Sequence, residues 1–231
     1  MRTAHERQLK IRGLAMLTAF FIILAAFFTP IFPGKINGLD YTDNLFNMIS
    51  KGSSDFIDEQ KKQNSNFTAV ELDLQFTMKS EKQAAEFARQ LSLAGAVATA
   101  SAASVSIKGN MAAVVEASLT DCRAMFDNDG KMVEQRYDIS SRKALFNWWT
   151  GYKSMVKALN KEKKFKEAKF FGVLCKKAIE PAYNYFGIEA KPWRANILMI
   201  VLSLVFYVFY TIWYGFGILW LFEGMGLKIG H

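Results

Sequence analysis

The stretch Ile197–Phe222, near the C-terminal end of the chain, reads ILMIVLSLVFYVFYTIWYGFGILWLF and contains no charged residue in 26 positions. A helix rises about 1.5 Å per residue, so a helix of this length exceeds the roughly 30 Å hydrocarbon core of a bilayer. The sequence therefore predicts a transmembrane helix over residues 195–222, and with it a membrane protein.

A second uncharged run of 19 residues, LAMLTAFFIILAAFFTPIF, occupies positions 14–32 and follows a basic N-terminal segment. A cleaved signal peptide is the alternative interpretation of such a run. The run is long for the apolar region of a signal peptide, however, and no small-x-small cleavage site follows it before Pro33. We therefore predict a second transmembrane helix over residues 14–32.

The basic residues before the first run indicate the orientation in the membrane. Residues 1–13 hold four Lys or Arg residues and one Glu, and positively charged flanks of this kind stay in the cytoplasm. Residues 1–13 are therefore predicted to form a cytoplasmic tail, and two crossings return residues 223–231 to the same side. The expected location is the bacterial inner (plasma) membrane, with both ends in the cytoplasm and residues 34–193 in the periplasm.

Residues 34–139 have the pattern of an extracytoplasmic α+β region. The clearest strand, VELDLQFTM, runs from Val70 to Met78. Apolar and polar residues alternate along it, which predicts one buried face and one wet face. Ser80 and Gln83 then form a capping-box pattern, and the helix that follows is expected to end near Gly95.

Two hairpins are expected to complete this region. The first joins residues 96–108 to residues 111–120 through Gly109-Asn110, a glycine-asparagine pair typical of tight turns. The second joins residues 122–126 to residues 132–139. Inward-facing positions are predicted in the first hairpin at Met111, Ala113, Val115, Ala117 and Leu119.

The turn predicted for the second hairpin spans residues 127–130. Its aspartates, Asp127 and Asp129, weakly resemble the start of a calcium loop, but no Glu stands at the twelfth position, so a turn is the better interpretation. The order strand, helix, strand, strand predicts a small α+β domain with an antiparallel sheet.

Residues 140–193 are predicted to form long amphipathic helices outside the membrane. Apolar residues recur at three- and four-residue steps from Leu145 onward, with a break near Asn160 and a helix end or restart at Pro181. Lysines are frequent on the other face. A solvated surface explains these lysines, and contact with lipid headgroups or an acidic partner is the alternative.

Motifs of enzyme chemistry are missing from the sequence. It contains no GxGxxG, P-loop, GxSxG or HExxH pattern, and its two histidines, His5 and His231, lie in the terminal segments. Neither apolar run contains Asp, Glu, Lys, Arg or His, which argues against a pump or a transporter. We therefore predict a non-enzymatic chain without a metal or cofactor. The net charge of +8 is spread among mixed charges, so nucleic acid is not an expected partner.

The second apolar run carries an unusual number of aromatic residues. Their polar tips need partners inside the membrane, and a glycine nearby permits close approach of another helix. Binding of a quinone, a pigment or a lipid is the alternative use of such aromatics. The predicted interface residues are Tyr207, Tyr210, Trp213, Tyr214, Gly217 and Trp220.

The chain has two cysteines, Cys122 and Cys175, and neither belongs to a CxxC motif. A disulfide between them and two free buried thiols both fit an extracytoplasmic domain.

These features lead to two hypotheses about function. The first is a non-catalytic accessory or structural subunit of a larger inner-membrane complex, which docks through its outer domain and its aromatic second span. Its expected partners are other integral membrane subunits and the lipid bilayer, with a second copy of the chain as a further candidate. The alternative is an extracytoplasmic ligand- or lipid-binding protein of the sensor type. The cytoplasmic tails are short for a sensor output.

Overall fold

The computed structural model describes residues 4–192, 194 and 197–227. The ends of both predicted cytoplasmic tails, residues 1–3 and 228–231, lie outside this part, as do residues 193, 195 and 196 at the predicted border of the second span. The chain divides into a first unit, Met1–Ile49 with Lys191–His231, and a second unit, Ser50–Ala190. It is a mixed α+β protein that is mostly helical.

The first unit contains the two helices that are long and apolar enough to cross a membrane. These are α1, Ala4–Phe27, and α10, Ile197–Gly224. Helix α1 begins ten residues before the predicted run at 14–32, because the basic segment is also helical. It ends before Pro30, because proline cannot donate a helical hydrogen bond. Helix α10 extends two residues beyond the predicted span at 195–222.

A tight turn follows α1 and leads into a third helix, which belongs to the first unit up to Ile49. The turn brings Phe32 and Ile36 together in an isolated antiparallel bridge, with Gly34 at a φ of 87°. Helix α2, Gly38–Ser53, begins directly afterwards, and the side chain of Asn37 accepts a hydrogen bond of 2.8 Å from the backbone N–H of Asp40. This contact satisfies one of the free donors at the start of the helix.

The second unit is built around a three-stranded antiparallel sheet with the order β1-β3-β2. Strand β1, Glu71–Thr77, alternates exposed and buried residues along its whole length, as its sequence predicts. Helix α4, Glu81–Leu93, begins with Ser80 accepting from the backbone N–H of Gln83, which confirms the predicted cap. The predicted order of strand, helix, strand and strand is also confirmed.

The first predicted hairpin is wrong in its position. The hairpin strands are β2, Val97–Ser101, and β3, Ser104–Asn110, and Ala102 turns between them at a φ of 48°. Residues 111–120 belong instead to helix α5, Met111–Phe126. Asn110 starts this helix rather than a turn, because its side chain accepts a 3.1 Å hydrogen bond from the backbone N–H of Ala113. Of the five positions predicted to face inward, Ala113 is exposed.

The second predicted hairpin is also wrong, because residues 122–126 end α5 and residues 130–137 form helix α6, Gly130–Tyr137. Asp129 caps α6 by accepting a hydrogen bond from the backbone N–H of Met132. Asn128 adopts a φ of 66° between the two helices. The cluster of turn-forming residues was therefore correctly located, but it connects helices and not strands.

The remaining helices of the second unit cover one face of the sheet and form most of the core. The predicted long amphipathic helix is confirmed as α7, Ser141–Lys161, with its break at residues 162–164, before α8 begins at Phe165. Trp148 is fully buried and packs edge-on against Phe87, with 5.4 Å between ring centroids. The unit also contains α3, Ile57–Asn64; a 3-10 turn, Ser65–Phe67; α8, Phe165–Leu174; a π-helical stretch, Cys175–Ile179; and α9, Glu180–Asn184.

The alternation along β1 predicts unequal effects at neighbouring positions. Leu74 is 3% exposed, whereas the side chain of Asp73 is 71% exposed and forms an ion pair with Lys108 on the neighbouring strand. Leu74→Ala is expected to lower the free energy of unfolding by about 2–5 kcal/mol. Asp73→Ala should change it by less than about 0.5 kcal/mol. Chemical denaturation of the full chain measures both values, and similar losses at the two positions would contradict the register.

Candidate functional site

Helices α1 and α10 run antiparallel, and polar groups of α10 bond directly to the backbone of α1. The hydroxyl of Tyr210 donates a hydrogen bond of 3.1 Å to the carbonyl of Phe20, and the indole N–H of Trp213 donates one of 3.1 Å to the carbonyl of Met16. The rings of Phe20 and Tyr210 also stack at 4.0 Å. The sequence predicted that the polar tips of these aromatic side chains need partners in the membrane. For Tyr210 and Trp213, the backbone of α1 in the same chain provides them.

Three glycines allow the two helices to lie close together. A Cβ atom added to Gly217 would lie 3.0 Å from Leu17 Cδ2. A Cβ atom at Gly13 would overlap the backbone of Leu221, and one at Gly224 would overlap the backbone of Lys10. Small residues at such crossings let helix backbones approach and gain dispersion contacts. We call this glycine-lined contact the α1–α10 seam.

Beside the seam, the first unit has an apolar cleft of about 580 Å³. Helix α1 forms one wall, α10 forms the second, and α2 with the preceding turn closes one end. Volumes of roughly 300–1,000 Å³ and apolar linings are typical of small-molecule sites. The cleft is lined by Ile23, Leu24, Phe27, Phe32, Tyr41, Thr42, Phe46, Met199, Leu202, Ser203, Leu204, Phe206, Tyr207 and Tyr210.

Most polar groups in this lining are already bonded. Thr42 donates to the carbonyl of Gly38 at 2.9 Å, and Ser203 donates to the carbonyl of Met199 at 2.8 Å. The hydroxyls of Tyr41 and Tyr207 differ, because neither has a hydrogen-bond partner among the residues that the structure describes. The cleft therefore combines a broad apolar surface with two phenol groups that no described residue hydrogen-bonds.

The six predicted interface residues divide into two groups. Tyr210, Trp213 and Gly217 contact α1 in the seam. Tyr214 joins them in part, since its ring lies 4.8 Å from that of Phe20. The second group, Tyr207 and Trp220, has no polar contact to α1; Tyr207 is 68% exposed, and Trp220 packs against Phe216 of its own helix.

Sequence reasoning missed the α1 side of the seam and the contribution of α2. A usable signal was present, because Gly13, Phe20 and Phe27 recur at seven-residue steps, as do Tyr210, Gly217 and Gly224 on α10. A seven-residue repeat on two helices indicates that they pack along one seam. The α2 residues of the cleft carry no such signal, because the turn at Gly34 and not a sequence period brings them there.

The second unit contains a buried polar cluster around Asp121, which is fully buried. Its carboxylate accepts hydrogen bonds from Tyr137 at 2.6 Å and Trp148 at 2.8 Å, and it pairs with Arg136 at 2.6 Å. Burial raises the pKa of Asp121, while the three donors lower it. Every member of the cluster has a partner, which is typical of a structural network that specifies one packing arrangement.

Both cysteines are free and buried in the structure. Burial raises the pKa of Cys122 well above its ordinary value and raises the pKa of Cys175 to about 12. Such thiols are protonated and unreactive at neutral pH. Within residues 4–192, 194 and 197–227, no three His, Cys, Asp or Glu side chains come together as metal ligands.

No protein-family model, curated protein or solved structure matches this chain. The geometry of the two units is therefore the basis for a functional proposal.

Proposed function

We propose that this chain is a non-catalytic accessory subunit of a larger complex in the bacterial inner membrane. In this proposal α1 and α10 cross the bilayer as one helical hairpin, the second unit is periplasmic, and the cleft receives a helix of another integral membrane subunit. The observation that carries the proposal is the hydroxyl of Tyr207 at the cleft, which has no hydrogen-bond partner within the part of the chain that the structure describes.

The position of Tyr207 makes an unpaired hydroxyl costly. It is the eleventh of 28 residues in α10, which places it about 15 Å from the start of the helix and inside the hydrocarbon layer if the helix crosses a bilayer. An unsatisfied polar group in hydrocarbon costs several kcal/mol. A neighbouring helix offers carbonyl and side-chain acceptors, whereas lipid tails offer none. The exposure of Tyr207 next to an open apolar cleft thus supports a partner helix at this place.

A second candidate function, binding of an amphipathic lipid or a quinone, is favoured by the same cleft for a different reason. Its volume of about 580 Å³ falls within the range of small-molecule sites. Tyr41 and Tyr207 provide two hydrogen-bond donors for the polar end of such a molecule, and the aromatic and aliphatic walls provide the surface for its apolar part.

Site-specific photo-cross-linking in intact cells separates the two candidates. A photoreactive phenylalanine analogue is placed at Tyr207, inside the cleft, and in a matched variant at Phe209, which is 70% exposed on α10 but does not line the cleft. We expect the Tyr207 variant to capture one defined membrane protein, and the Phe209 variant to capture mainly lipid.

An adduct with a different membrane protein at Tyr207 supports the accessory role. An adduct with a second copy of the chain contradicts that role and indicates a homo-oligomer. A lipid or quinone that is captured at Tyr207 but not at Phe209 supports the second candidate. Equal, non-specific products at both positions contradict both candidates.

The proposed topology predicts the side from which the second unit is accessible. A cysteine at Ser54, in the segment between α2 and α3, is expected to react with a membrane-impermeant maleimide from the periplasmic side. The reason is the basic segment before the apolar part of α1, which stays in the cytoplasm. The native thiols are buried and compete little. Labelling of Ser54→Cys only in inverted membrane vesicles would overturn the orientation.

A further inference from the structure

Strand β1 is an edge strand with main-chain groups that point away from the sheet. On the β3 side, the carbonyl of Val70 accepts a hydrogen bond from the N–H of Met111, and the N–H of Met78 donates to the carbonyl of Ala103. Since the bonding side alternates along an antiparallel strand, the odd-numbered residues of β1 turn their N–H and C=O groups to the free edge. The carbonyl of Thr77 accepts a 2.8 Å hydrogen bond from the hydroxyl of Ser154 on α7. The main-chain groups of Gln75 face the open part of this edge.

A groove lies between β1 and α7, beside the hydrogen bond from Ser154 to Thr77 that joins the two elements. It consists of two neighbouring cavities of about 300 and 310 Å³, which share Thr77, Ser154 and Lys157. We call it the β1–α7 groove. Lys153, Lys157 and Lys161 lie along its α7 side at four-residue spacing, so that one helical face presents all three ammonium groups.

The lysines of the groove have no counter-charge in ion-pair contact among the residues that the structure describes. Lys153, Lys157 and Lys161 form no ion pair within the described part of the chain, and neither does Lys79 at the end of β1. The ammonium groups of Lys153 and Lys79 lie over aromatic rings, at 3.6 and 5.3 Å from the centroids.

A buried hydroxyl adds a second, independent observation. Thr150 lines the groove and is only 5% exposed, and its hydroxyl oxygen has no hydrogen-bond partner among the described residues. A buried polar atom without a partner costs free energy. The lining of the groove therefore includes a buried hydroxyl that has no partner among the described residues.

We propose that the β1–α7 groove binds an extended acidic peptide segment, which adds to β1 as a fourth strand and places carboxylates against Lys153 and Lys157. This proposal rests on the proposed function, because it names the chemistry that the second unit recognises on a partner protein. Main-chain pairing with β1 provides register and affinity, and the lysines select for acidic side chains.

The free edge of β1 favours a peptide over other anions. Unpaired N–H and C=O groups on one strand edge are matched by the alternating donors and acceptors of another strand. A phosphate or a lipid headgroup satisfies the lysines but offers nothing that pairs with both groups of Gln75. The row of lysines on α7 also runs along a helix for about 12 Å, which suits several carboxylates better than one compact anion.

Fluorescence anisotropy on the full chain in detergent tests this proposal. The probe is a labelled peptide of alternating Glu and Thr with seven residues, the length of β1. One control peptide replaces Glu by Gln, and another carries N-methyl groups on every second residue, which blocks main-chain pairing without changing the charge. The protein variants are Lys153→Gln with Lys157→Gln and, as a matched control, Lys169→Gln with Lys176→Gln, which are exposed outside the groove.

We expect saturable binding of the acidic peptide, with dissociation constants about tenfold higher for the Gln peptide, the N-methylated peptide and the Lys153/Lys157 variant. The Lys169/Lys176 variant should bind as the unchanged chain does. Equal binding of the N-methylated peptide, or displacement by inorganic phosphate at similar concentration, contradicts strand addition. Absence of binding overturns the proposal while leaving the photo-cross-linking result at Tyr207 unaffected, since that experiment probes the first unit alone.

Discussion

Replacing Gly13 by leucine is expected to lower, by about tenfold, the oxidative cross-linking of cysteines placed at Leu17 and Gly217. These two positions meet in the α1–α10 seam, where a Cβ atom added to Gly217 would lie 3.0 Å from the side chain of Leu17. A side chain at Gly13 would overlap the backbone of Leu221, and backbone cannot move aside as a flexible side chain does. The helices must therefore separate or rotate, and the cysteine pair moves apart with them.

The same helix pair contains a matched control. Gly215 lies on α10, and apart from its own helix backbone no atom of the described residues lies within 4 Å of an added Cβ, so Gly215→Leu should leave the cross-linking yield unchanged. Both variants have the same gain in apolar volume and differ only in what the new side chain meets. Full cross-linking in the Gly13 variant would show that the seam is not held by close backbone contact.

Asp121→Ala is expected to lower the free energy of unfolding of the second unit by about 3–5 kcal/mol. The substitution removes the acceptor of three donors in one step, so the buried groups of Tyr137 and Trp148 lose their partner and Arg136 loses its counter-charge. Leaving such groups unsatisfied in the interior costs more than the lost bonds are worth in water. Chemical denaturation, followed by tryptophan fluorescence, measures the loss.

Two further variants test whether the loss at Asp121 comes from the whole hydrogen-bond network or only from removal of one negative charge. Tyr137→Phe removes one donor but leaves Asp121 bonded to Trp148 and Arg136, and should cost about 1 kcal/mol. Asp58→Ala removes a carboxylate whose side chain is 80% exposed in a surface ion pair, and should cost less than about 1 kcal/mol. A loss at Asp121 no larger than that at Asp58 would contradict the structural role of the cluster.

The parts of the fold that were predicted correctly have a local cause. The alternation of β1 follows from burial of one sheet face, and the start of α4 follows from the bond between Ser80 and Gln83. Neither depends on distant residues. The same is true of the break after α7, where Lys163 adopts a φ of 62° between two amphipathic helices.

The two hairpin errors have a common physical reason. Helix α5 is buried on most of its circumference, so apolar residues occur at nearly every spacing, and a strand-like alternation can be found in it by chance. Asn110 and Asp129 favour turns and helix starts equally, because their side chains bond to backbone N–H groups in both settings. Whether such a residue forms a turn or starts a helix depends on the residues against which the following segment packs in the core.

In the candidate site, too, some features follow from the local sequence and others depend on tertiary packing. The sequence alone predicts two apolar helices that are long enough to cross a membrane. It also identifies the tyrosines of α10 as groups that need hydrogen-bond partners. Both predictions are possible because length, charge and polarity are properties of the residues themselves. The tertiary structure decided which partners they have. Tyr210 and Trp213 bond to the backbone of α1, and Tyr207 is left at an open cleft. That outcome depends on the close approach of two helices separated by more than 160 residues and on the turn that places α2 beside them, which no local pattern specifies.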